Sequence, residues 1–259
     1  MTPDIPSRLP SVTATAYLTP LREGGSLPGL MEADDLGTYV VKFTGAGQGP
    51  RALVAEIIVG EIAHAIGVRT PALALAEVDV EIGRREPYDE VQDLLVASAG
   101  TNLAVDFLPG AIGYDRAIMV PAADAARIVW LDAFVANVDR SARNTNLLIW
   151  HRDLWAIDHG ACLRFHHAWG DVDAFARSPY RHDDHVLRGL GDPRAVHEEL
   201  STLVTAELLT AVLALVPDAW LAPDPNRPDP RAPETAEAAR DAYARYLIAR
   251  LAASEAWLS

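Results

Sequence analysis

The chain has 259 residues, of which half are hydrophobic and 22% are charged, so it is long enough for one large domain or two small lobes with a buried core. Its net charge of −14 argues against a broad nucleic-acid interface, because such an interface needs basic surface. The single cysteine excludes an internal disulfide. The first residues lack the basic and then apolar order of a secretory signal, and the longest apolar stretch is too short to span a membrane, so we expect neither a signal nor a membrane span. These features predict a soluble cytoplasmic protein without a membrane partner.

The N-terminal part of the chain has the pattern of a small β-sheet with one helix. Residues 14–19 and 38–44 are rich in β-branched and aromatic side chains, and a turn-rich stretch between them predicts a hairpin. Leucine and isoleucine recur at helical spacing over residues 51–66, which predicts a helix. Residues 71–79 and 103–108 are further strand candidates.

The pattern becomes mainly helical after Pro109. Asp124 is the predicted cap of a helix whose apolar residues recur at spacings of three and four as far as Val138. Residues 147–150 and 154–157 then predict a short β-hairpin.

Two more helical regions are expected near the C-terminus, over residues 194–216 and 233–257. The proline-rich segment 217–233 between them predicts an irregular connector. The order of elements predicts an α+β protein with a β-rich N-terminal lobe, residues 1–105, and a mainly helical C-terminal lobe, residues 106–259.

Three polar side chains that surround the predicted hairpin form a candidate catalytic group. Asp139 and Asn144 come from one loop, and Asp158 follows the second strand. Two carboxylates and an amide can hold Mg²⁺ and orient an incoming hydroxyl, which is the equipment of phosphoryl transfer. We assign Asp139 as the catalytic carboxylate and Asn144 and Asp158 as metal ligands. Asn146 is a rival for Asn144, but the alternation of side chains places Asn146 on a strand.

Taken singly, Asp139 and Asn144 have a simpler interpretation, because aspartate and asparagine often cap turns. Their combination with the hairpin and with Asp158 favours the catalytic interpretation. The triplet His151-Arg152-Asp153 has the spelling of the catalytic-loop triplet of protein kinases. No asparagine follows five residues after Asp153, so we interpret the triplet as a solvated turn.

Lys42 is the only lysine, since 21 of the 22 basic residues are arginine. It ends a predicted strand, and a compact ammonium there would suit the α- and β-phosphates of a nucleotide. An acid on the following helix could brace it, and Glu56 is a better candidate than Glu61, which lies more than a turn further on. Backbone amides could also approach phosphates in the turn-rich stretch, at Gly24, Gly25 and Ser26.

The histidines in the C-terminal half invite comparison with a zinc site, particularly the sequence His182-Asp-Asp-His185. They lack cysteine partners and a second close pair of ligands, so we expect them at the surface or on the substrate side. His159 is the exception, because it follows Asp158 directly and is expected to orient that loop. Cys162 is expected to be a small core residue.

These residues resemble the HipA-like kinases, a branch of the protein-kinase-like superfamily. The resemblance rests on the glycine loop and on the segments Tyr39-Val-Val-Lys42-Phe, Leu53-Val-Ala-Glu56, 137–144 and 154–160. It implies a two-lobed kinase-like fold and transfer that depends on ATP and Mg²⁺. It also implies that adenine binds backbone groups of a hinge formed by Asp106, Phe107 and Leu108. The chain looks shorter than the HipA toxins, so their toxin role and their protein target are not carried over to it.

Together, the residues and the resemblance predict an ATP-dependent phosphotransferase that acts on a Ser or Thr hydroxyl of a protein. A small-molecule kinase is the alternative within enzymes, and Arg140 after Asp139 is also similar to lipid kinases. A nucleotide-binding pseudokinase that serves as an interaction module is the alternative outside enzymes. The identity of the acceptor stays open.

Overall fold

The structure is a computed structural model that describes residues 5–21, 27–47, 49–223 and 229–258. The chain divides into two units. We call Arg8–Leu53 with Pro71–Pro109 the strand-rich unit, and Met1–Ser7, Val54–Thr70 and Gly110–Ser259 the helical unit. The predicted lobe boundary between residues 105 and 106 stays a prediction.

The strands within the described residues are β1 Ser11–Pro20, β2 Gly29–Ala33, β3 Thr38–Lys42, β4 Leu73–Val78, β5 Gly100–Asp106, β6 Ile112–Gly113, β7 Leu147–Trp150 and β8 Asp153–Ala156. The α-helices there are α1 Pro50–Ala65, α2 Val80–Arg84, α3 Asp89–Ala97, α4 Ala122–Val135, α5 Val172–Ala176, α6 His197–Leu203, α7 Ala206–Ala214, α8 Asp218–Leu221, α9 Ala236–Ala252 and α10 Ser254–Trp257. Two short 3₁₀ helices, Arg164–His167 and Pro193–Val196, complete the description.

The strand-rich unit is a closed barrel with the strand order β1-β2-β3-β5-β4. All neighbouring strands are antiparallel except β1 and β4, which close the barrel in parallel. Alternate apolar side chains of the strands fill its core, and α3 adds Val91 and Leu95. Burial of each of these two side chains stabilises the unit by roughly 1.5–3 kcal/mol relative to exposure. The strands β2 and β6 and the helices α2 and α3 were not predicted from the sequence. β2 contains no β-branched or aromatic residue, β6 has two residues, and the two helices are rich in charged residues.

Helix α4 leads the chain to the candidate site. Its rings Trp130 and Phe134 stack at 5.2 Å in the core of the helical unit. The predicted cap was wrong, because the helix begins after Pro121 and Asp124 instead binds Arg69 at 3.1 Å. The helix also ends earlier than predicted, since Ala136 adopts the left-handed conformation that stops it.

The predicted helix over residues 194–216 is interrupted. A 3₁₀ turn precedes α6, and the chain breaks again before α7. The second break occurs at Thr205, whose hydroxyl accepts a hydrogen bond from the Leu208 N–H at 3.2 Å and so starts a new helix. The C-terminal helix is confirmed as α9 and α10, and the segment predicted to be irregular contains the short helix α8.

The predicted hairpin is confirmed as β7 and β8, which pair from Leu147 with Ala156 to Trp150 with Asp153. Its two turn residues, His151 and Arg152, are exposed and both have positive φ, 49° and 73°. This turn suits the twist of a two-residue hairpin. No helix among the described residues is long and apolar enough to cross a membrane.

Candidate active site

Asp139 lies on the loop that follows α4, and hydrogen bonds fix it on one side only. Its backbone N–H donates to Oδ1 of Asn137 at 3.0 Å. Its Oδ2 accepts hydrogen bonds from the side-chain amides of Asn144 at 2.9 Å and Asn146 at 3.2 Å. Within the part of the chain that the structure describes, no donor reaches its Oδ1. The carboxylate is therefore oriented, with one oxygen open to an incoming group.

The two asparagines of this loop differ in their surroundings. Asn144 is exposed, and its Oδ1 accepts no hydrogen bond from any described residue. Asn146 is buried, and its amide also donates to the Asp139 carbonyl at 2.9 Å. Its predicted place on a strand was wrong, since it precedes β7 in the left-handed conformation. Asn146 thus fastens the loop, whereas Asn144 keeps an oxygen available to a ligand.

The chain carries Asp158 to the same loop by a backbone contact. After β8 ends, the Ile157 N–H donates to the Asn146 carbonyl at 3.0 Å. Asp158 follows at once, partly buried and with a φ of 55°. Aspartate adopts the left-handed conformation more readily than most residues, and here it allows the chain to turn sharply after β8. The segments that contain Asp139 and Asp158 are therefore joined one residue before Asp158.

A second carboxylate, Asp132, lies fully buried in α4 and was not singled out from the sequence. It accepts hydrogen bonds from Asn137 at 2.8 Å, Arg140 at 2.5 Å and His185 at 2.9 Å. Burial by itself would raise the pKa of Asp132, but the charge of Arg140 and the hydrogen bond from His185 hold that pKa well below its ordinary value. Asp132 is therefore ionised and satisfied. The available signal was an acidic residue on the apolar face of a predicted helix.

Arg140 links this buried carboxylate to both loops of the site. Its guanidinium also donates to the carbonyls of Asn146 and, at 3.4 Å, Ile157. Burial by itself would lower the pKa of Arg140, but the Asp132 carboxylate raises it more, so the pKa lies above its ordinary value. The pair is a buried ion pair whose remaining donors bind the two carbonyl groups and, at 3.5 Å, Nδ1 of His159, which is the arrangement such a pair requires.

Two histidines are not where the sequence predicted them: His185 and His166 are buried, the latter against the Tyr243 hydroxyl at 2.8 Å. His159, which was expected to orient the Asp158 loop, is buried next to Asp158, and its orienting role stays a prediction. The described residues contain no group of three or more His, Cys, Asp or Glu side chains that could hold a metal ion. Cys162 is confirmed as a core residue, and burial raises the pKa of its thiol well above the ordinary value.

The predicted phosphate-binding residues lie on separate parts of the chain. Lys42 is half-buried at the end of β3, where it pairs with Leu103 of β5. Glu56 is buried in α1, while Glu61 faces His64 of its own helix at 3.8 Å. Lys42 belongs to the strand-rich unit and Glu56 to the helical unit, so their pairing stays a prediction. The remaining predicted contacts, Gly24, Gly25 and Ser26, lie outside the described residues.

The predicted hinge follows β5 and has one unused amide. The N–H groups of Asp106 and Phe107 donate to the Ala72 and Thr38 carbonyls at 2.9 and 3.1 Å. The N–H of Leu108, in contrast, donates to none of the residues that the structure describes. Of the three hinge amides, Leu108 therefore offers the donor that a base could use.

The kinase-like triplet was predicted as a solvated turn, and this is confirmed for His151 and Arg152 but wrong for Asp153, which is a strand residue. Its aspartate, Asp153, opens β8 and forms an ion pair with Arg69 at 3.2 Å. Arg69 also binds Asp124 at 3.1 Å, so this cluster ties the hairpin to the start of α4. Both Arg69 and Asp153 are partly accessible to solvent.

The HipA-like kinase family matches residues 16–246. The crystal structure of the Helicobacter pylori proinflammatory kinase CtkA is similar with a TM-score of 0.56 at 11% identity, over 92% of this chain and 94% of that chain. The Golgi casein kinase gives a TM-score of 0.44 at 13% identity, over 96% and 73% of the two chains. Its structure with Mn/ADP bound gives 0.46 at 13% identity, over 96% and 74%. No curated protein matches the sequence. The likeness to CtkA confirms the predicted α+β, kinase-like fold.

Proposed function

We propose a specific reaction for this chain, which belongs to the HipA-like kinase family and is therefore a kinase-type phosphotransferase. In this proposal it transfers the γ-phosphate of ATP to a Ser or Thr hydroxyl of a protein. One observation carries the proposal. Asp139 has one carboxylate oxygen held by two amides and the other open among the described residues. A catalytic carboxylate in phosphoryl transfer needs this combination of fixed orientation and an accessible oxygen.

Asp139 would orient the acceptor and take its proton. Its open Oδ1 accepts a hydrogen bond from the acceptor hydroxyl, which aims the hydroxyl oxygen at the γ-phosphorus. The new oxygen–phosphorus bond forms as the bond from the γ-phosphorus to the bridging oxygen breaks. ADP leaves with that oxygen, and the hydroxyl proton passes to Asp139. The amides of Asn144 and Asn146 hold the other oxygen throughout.

The oxygen atoms assigned to the metal are of the kind that Mg²⁺ prefers. The amide nitrogen of Asn144 donates to Asp139, so its side-chain oxygen remains available as a metal ligand. Asp158 would supply a carboxylate. Mg²⁺ prefers oxygen ligands and takes few of them from the protein, the rest coming from water and phosphate. When bound with ATP, the ion would neutralise charge on the phosphates. Asn144 and Asp158 would hold it.

The remaining contacts to ATP follow from the other predicted residues. Lys42, braced by Glu56, would bind the α- and β-phosphates, and the segment Gly24, Gly25 and Ser26 would add backbone amides. The adenine would accept a hydrogen bond from the Leu108 N–H and donate to a carbonyl of Asp106 or Phe107. The unused Leu108 amide supports this arrangement.

The surroundings of the catalytic loop favour a protein as the acceptor. Residues 142–144 are all exposed, and Asp139 itself is partly exposed. A small-molecule kinase commonly encloses its substrate in a cavity, where most of the ligand surface is buried. An exposed loop beside the catalytic carboxylate is better suited to a hydroxyl presented on a polypeptide.

The acceptor class can be tested with labelled ATP. The protein is incubated with Mg²⁺, ATP labelled at the γ-phosphate, and either the protein or the metabolite fraction of a dephosphorylated lysate, with Asp139→Asn as the blank. Base-labile phosphoserine or phosphothreonine in the protein fraction supports the proposal. Label in the metabolite fraction alone would indicate a small-molecule kinase. Binding of ATP without transfer to either fraction would indicate a pseudokinase.

A further inference from the structure

The buried His185 connects residues 182–187 to the loop that carries Asp139. We infer that His185 is a positioning residue: through Asp132 it fastens residues 182–187 to the loop that carries Asp139. The inference rests on the proposed function, because it assigns the Asp139 loop to catalysis. Its structural part, the coupling of the two segments, can be tested without any chemistry.

The ring of His185 has a defined protonation pattern. Its Nδ1 accepts a hydrogen bond from the Leu187 N–H at 3.0 Å, and its Nε2 lies 2.9 Å from Oδ2 of Asp132. A ring nitrogen that accepts from an N–H carries no proton, so the proton is on Nε2. His185 is therefore a neutral donor to Asp132, and both ring nitrogens are used.

The segment is also attached to the catalytic loop by its backbone. Ser141 and His185 form an isolated antiparallel bridge, and the Val186 N–H donates to the Arg140 carbonyl at 3.2 Å. The two segments thus run beside each other at the residues that follow Asp139. Arg181, Asp183 and Asp184, immediately before this contact, are exposed. This exposed stretch, next to the catalytic loop, is in the right place to contact a polypeptide acceptor.

A continuous series of hydrogen bonds joins the histidine to the catalytic carboxylate. His185 donates to Asp132, and Oδ1 of Asp132 accepts from the Asn137 amide at 2.8 Å. Oδ1 of Asn137 accepts from the Asp139 N–H at 3.0 Å. Because every group in this series is buried or part-buried, loss of one bond leaves its partner unsatisfied and loosens the next. His185 therefore holds the Asp139 backbone in the position in which its side chain is oriented.

A matched pair of substitutions separates the two bonds of the ring. In His185→Gln the amide nitrogen lies near the position of Nε2 and retains the donor to Asp132. In His185→Asn the shorter side chain lies near Nδ1, so its oxygen can accept from Leu187 but no donor reaches Asp132. The two variants have similar polarity and differ in the contact that the inference requires.

Amide hydrogen exchange on the protein without nucleotide measures the coupling. In His185→Asn we expect exchange at the Asp139 and Ser141 amides to rise about tenfold, with little change in His185→Gln. Equal exchange at these amides in the two variants would overturn the inference. Asn137→Ala is the second variant, because it cuts the series beyond Asp132. There exchange should rise at Asp139 but not at Val186, and a rise at both would also contradict the inference.

Kinetics distinguish positioning from a general loss of structure. The assay uses a general protein substrate such as myelin basic protein or, if the wild type does not phosphorylate it, hydrolysis of ATP by water. His185→Asn should lower kcat about tenfold or more and leave the KM for ATP within about twofold. His185→Gln should restore most of kcat. An unchanged kcat, or a parallel loss of ATP binding, would contradict the positioning role. Failure of the wild type to bind Mg-ATP would refute the proposed function while leaving the exchange result valid.

Discussion

Asp132 and Asp139 lie close together in the sequence, at the end of α4 and on the loop that follows it, yet their surroundings are opposite. Asp132 is fully buried and both of its oxygens accept hydrogen bonds, from Asn137, Arg140 and His185. Asp139 is partly exposed, with one oxygen held by amides and the other open among the described residues. A satisfied carboxylate can organise a loop, whereas a half-satisfied carboxylate can do chemistry. The environment of each aspartate, rather than its residue type, therefore assigns its role.

The largest expected effect is on catalysis, at Asp139. Asp139→Asn keeps the size of the side chain but removes the base, so phosphoryl transfer should fall by about 10²–10⁴-fold. The rate is measured at saturating Mg-ATP with labelled ATP. The variant should unfold at nearly the wild-type urea concentration, since no buried charge is removed. If Asp139→Asn loses activity because it unfolds, then Asp139 stabilises the fold as Asp132 does, and the two aspartates do not have different roles.

The next effect is on stability, at Asp132. Asp132→Asn leaves the Arg140 guanidinium buried without its counter-charge, which should lower the free energy of unfolding by about 3–5 kcal/mol. Urea denaturation followed by circular dichroism measures the change. A loss below about 1 kcal/mol would mean that the buried pair does not organise this region.

The same carboxylate predicts the response to acid. Because the folded pKa of Asp132 is lowered, the folded protein binds this proton more weakly than the unfolded chain does. Its stabilisation is therefore complete above the ordinary pKa of about 3.9 and is lost as the pH falls below it, towards the folded pKa. The stability difference between wild type and Asp132→Asn should be constant down to about pH 4 and shrink below it. A difference that instead shrinks between about pH 6 and pH 7 would point to a histidine.

A smaller loss of stability is expected at Arg250, which binds carbonyl groups in the last turn of α4. Its buried guanidinium donates to the carbonyls of Ala133 and Phe134, both at 2.7 Å, and of Ala176 and Ser178 at 3.0 and 2.9 Å. It thereby satisfies the carbonyl end of the helix that leads to Asp139. Arg250→Met should lower the free energy of unfolding by about 3 kcal/mol, as measured by urea denaturation. Arg250→Lys keeps the charge but has fewer donors, so its free energy of unfolding should lie between those of the wild type and Arg250→Met.

The smallest effect is expected at Asp153, the aspartate of the kinase-like triplet. Its ion pair with Arg69 is partly exposed to solvent, so Asp153→Ala should cost less than about 1 kcal/mol of stability. Transfer activity should stay within about twofold of the wild type. This variant is the control for the Asp132 and Asp139 variants, because it removes a carboxylate that belongs neither to the buried network nor to the catalytic loop. A large loss of activity would mean that Asp153, and not Asp139, is the catalytic aspartate.

The sequence was informative where local patterns determine structure. The strand that ends at Lys42, the helix that contains Glu56 and the hairpin before Asp158 follow from apolar spacing and turn residues. The spacing of Asp139 and Asn144 led to a pair that is hydrogen-bonded in the structure. These features involve residues near one another in the chain, so a single sequence contains the information.

The contacts that hold the site in place could not be predicted in the same way. His185 reaches Asp132, and Arg250 reaches Phe134, across long stretches of chain whose packing no local pattern encodes. Asn146 was assigned to a strand because the alternation of side chains continued through it, whereas its positive φ places it before the strand. Buried polar networks depend on tertiary packing, and they were missed for that reason.

Calorimetric titration of ATP in the presence and absence of Mg²⁺ tests the central assignment most directly, with wild type, Asp139→Asn and Asp158→Asn compared. If Asp139 serves chemistry and Asp158 holds the metal, Asp139→Asn should bind Mg-ATP within about threefold of the wild-type Kd. Asp158→Asn should bind at least about tenfold more weakly, a difference of about 1.4 kcal/mol, and should lose the dependence on Mg²⁺. Equal weakening in both variants, or no binding of Mg-ATP by the wild type, would contradict the assignment.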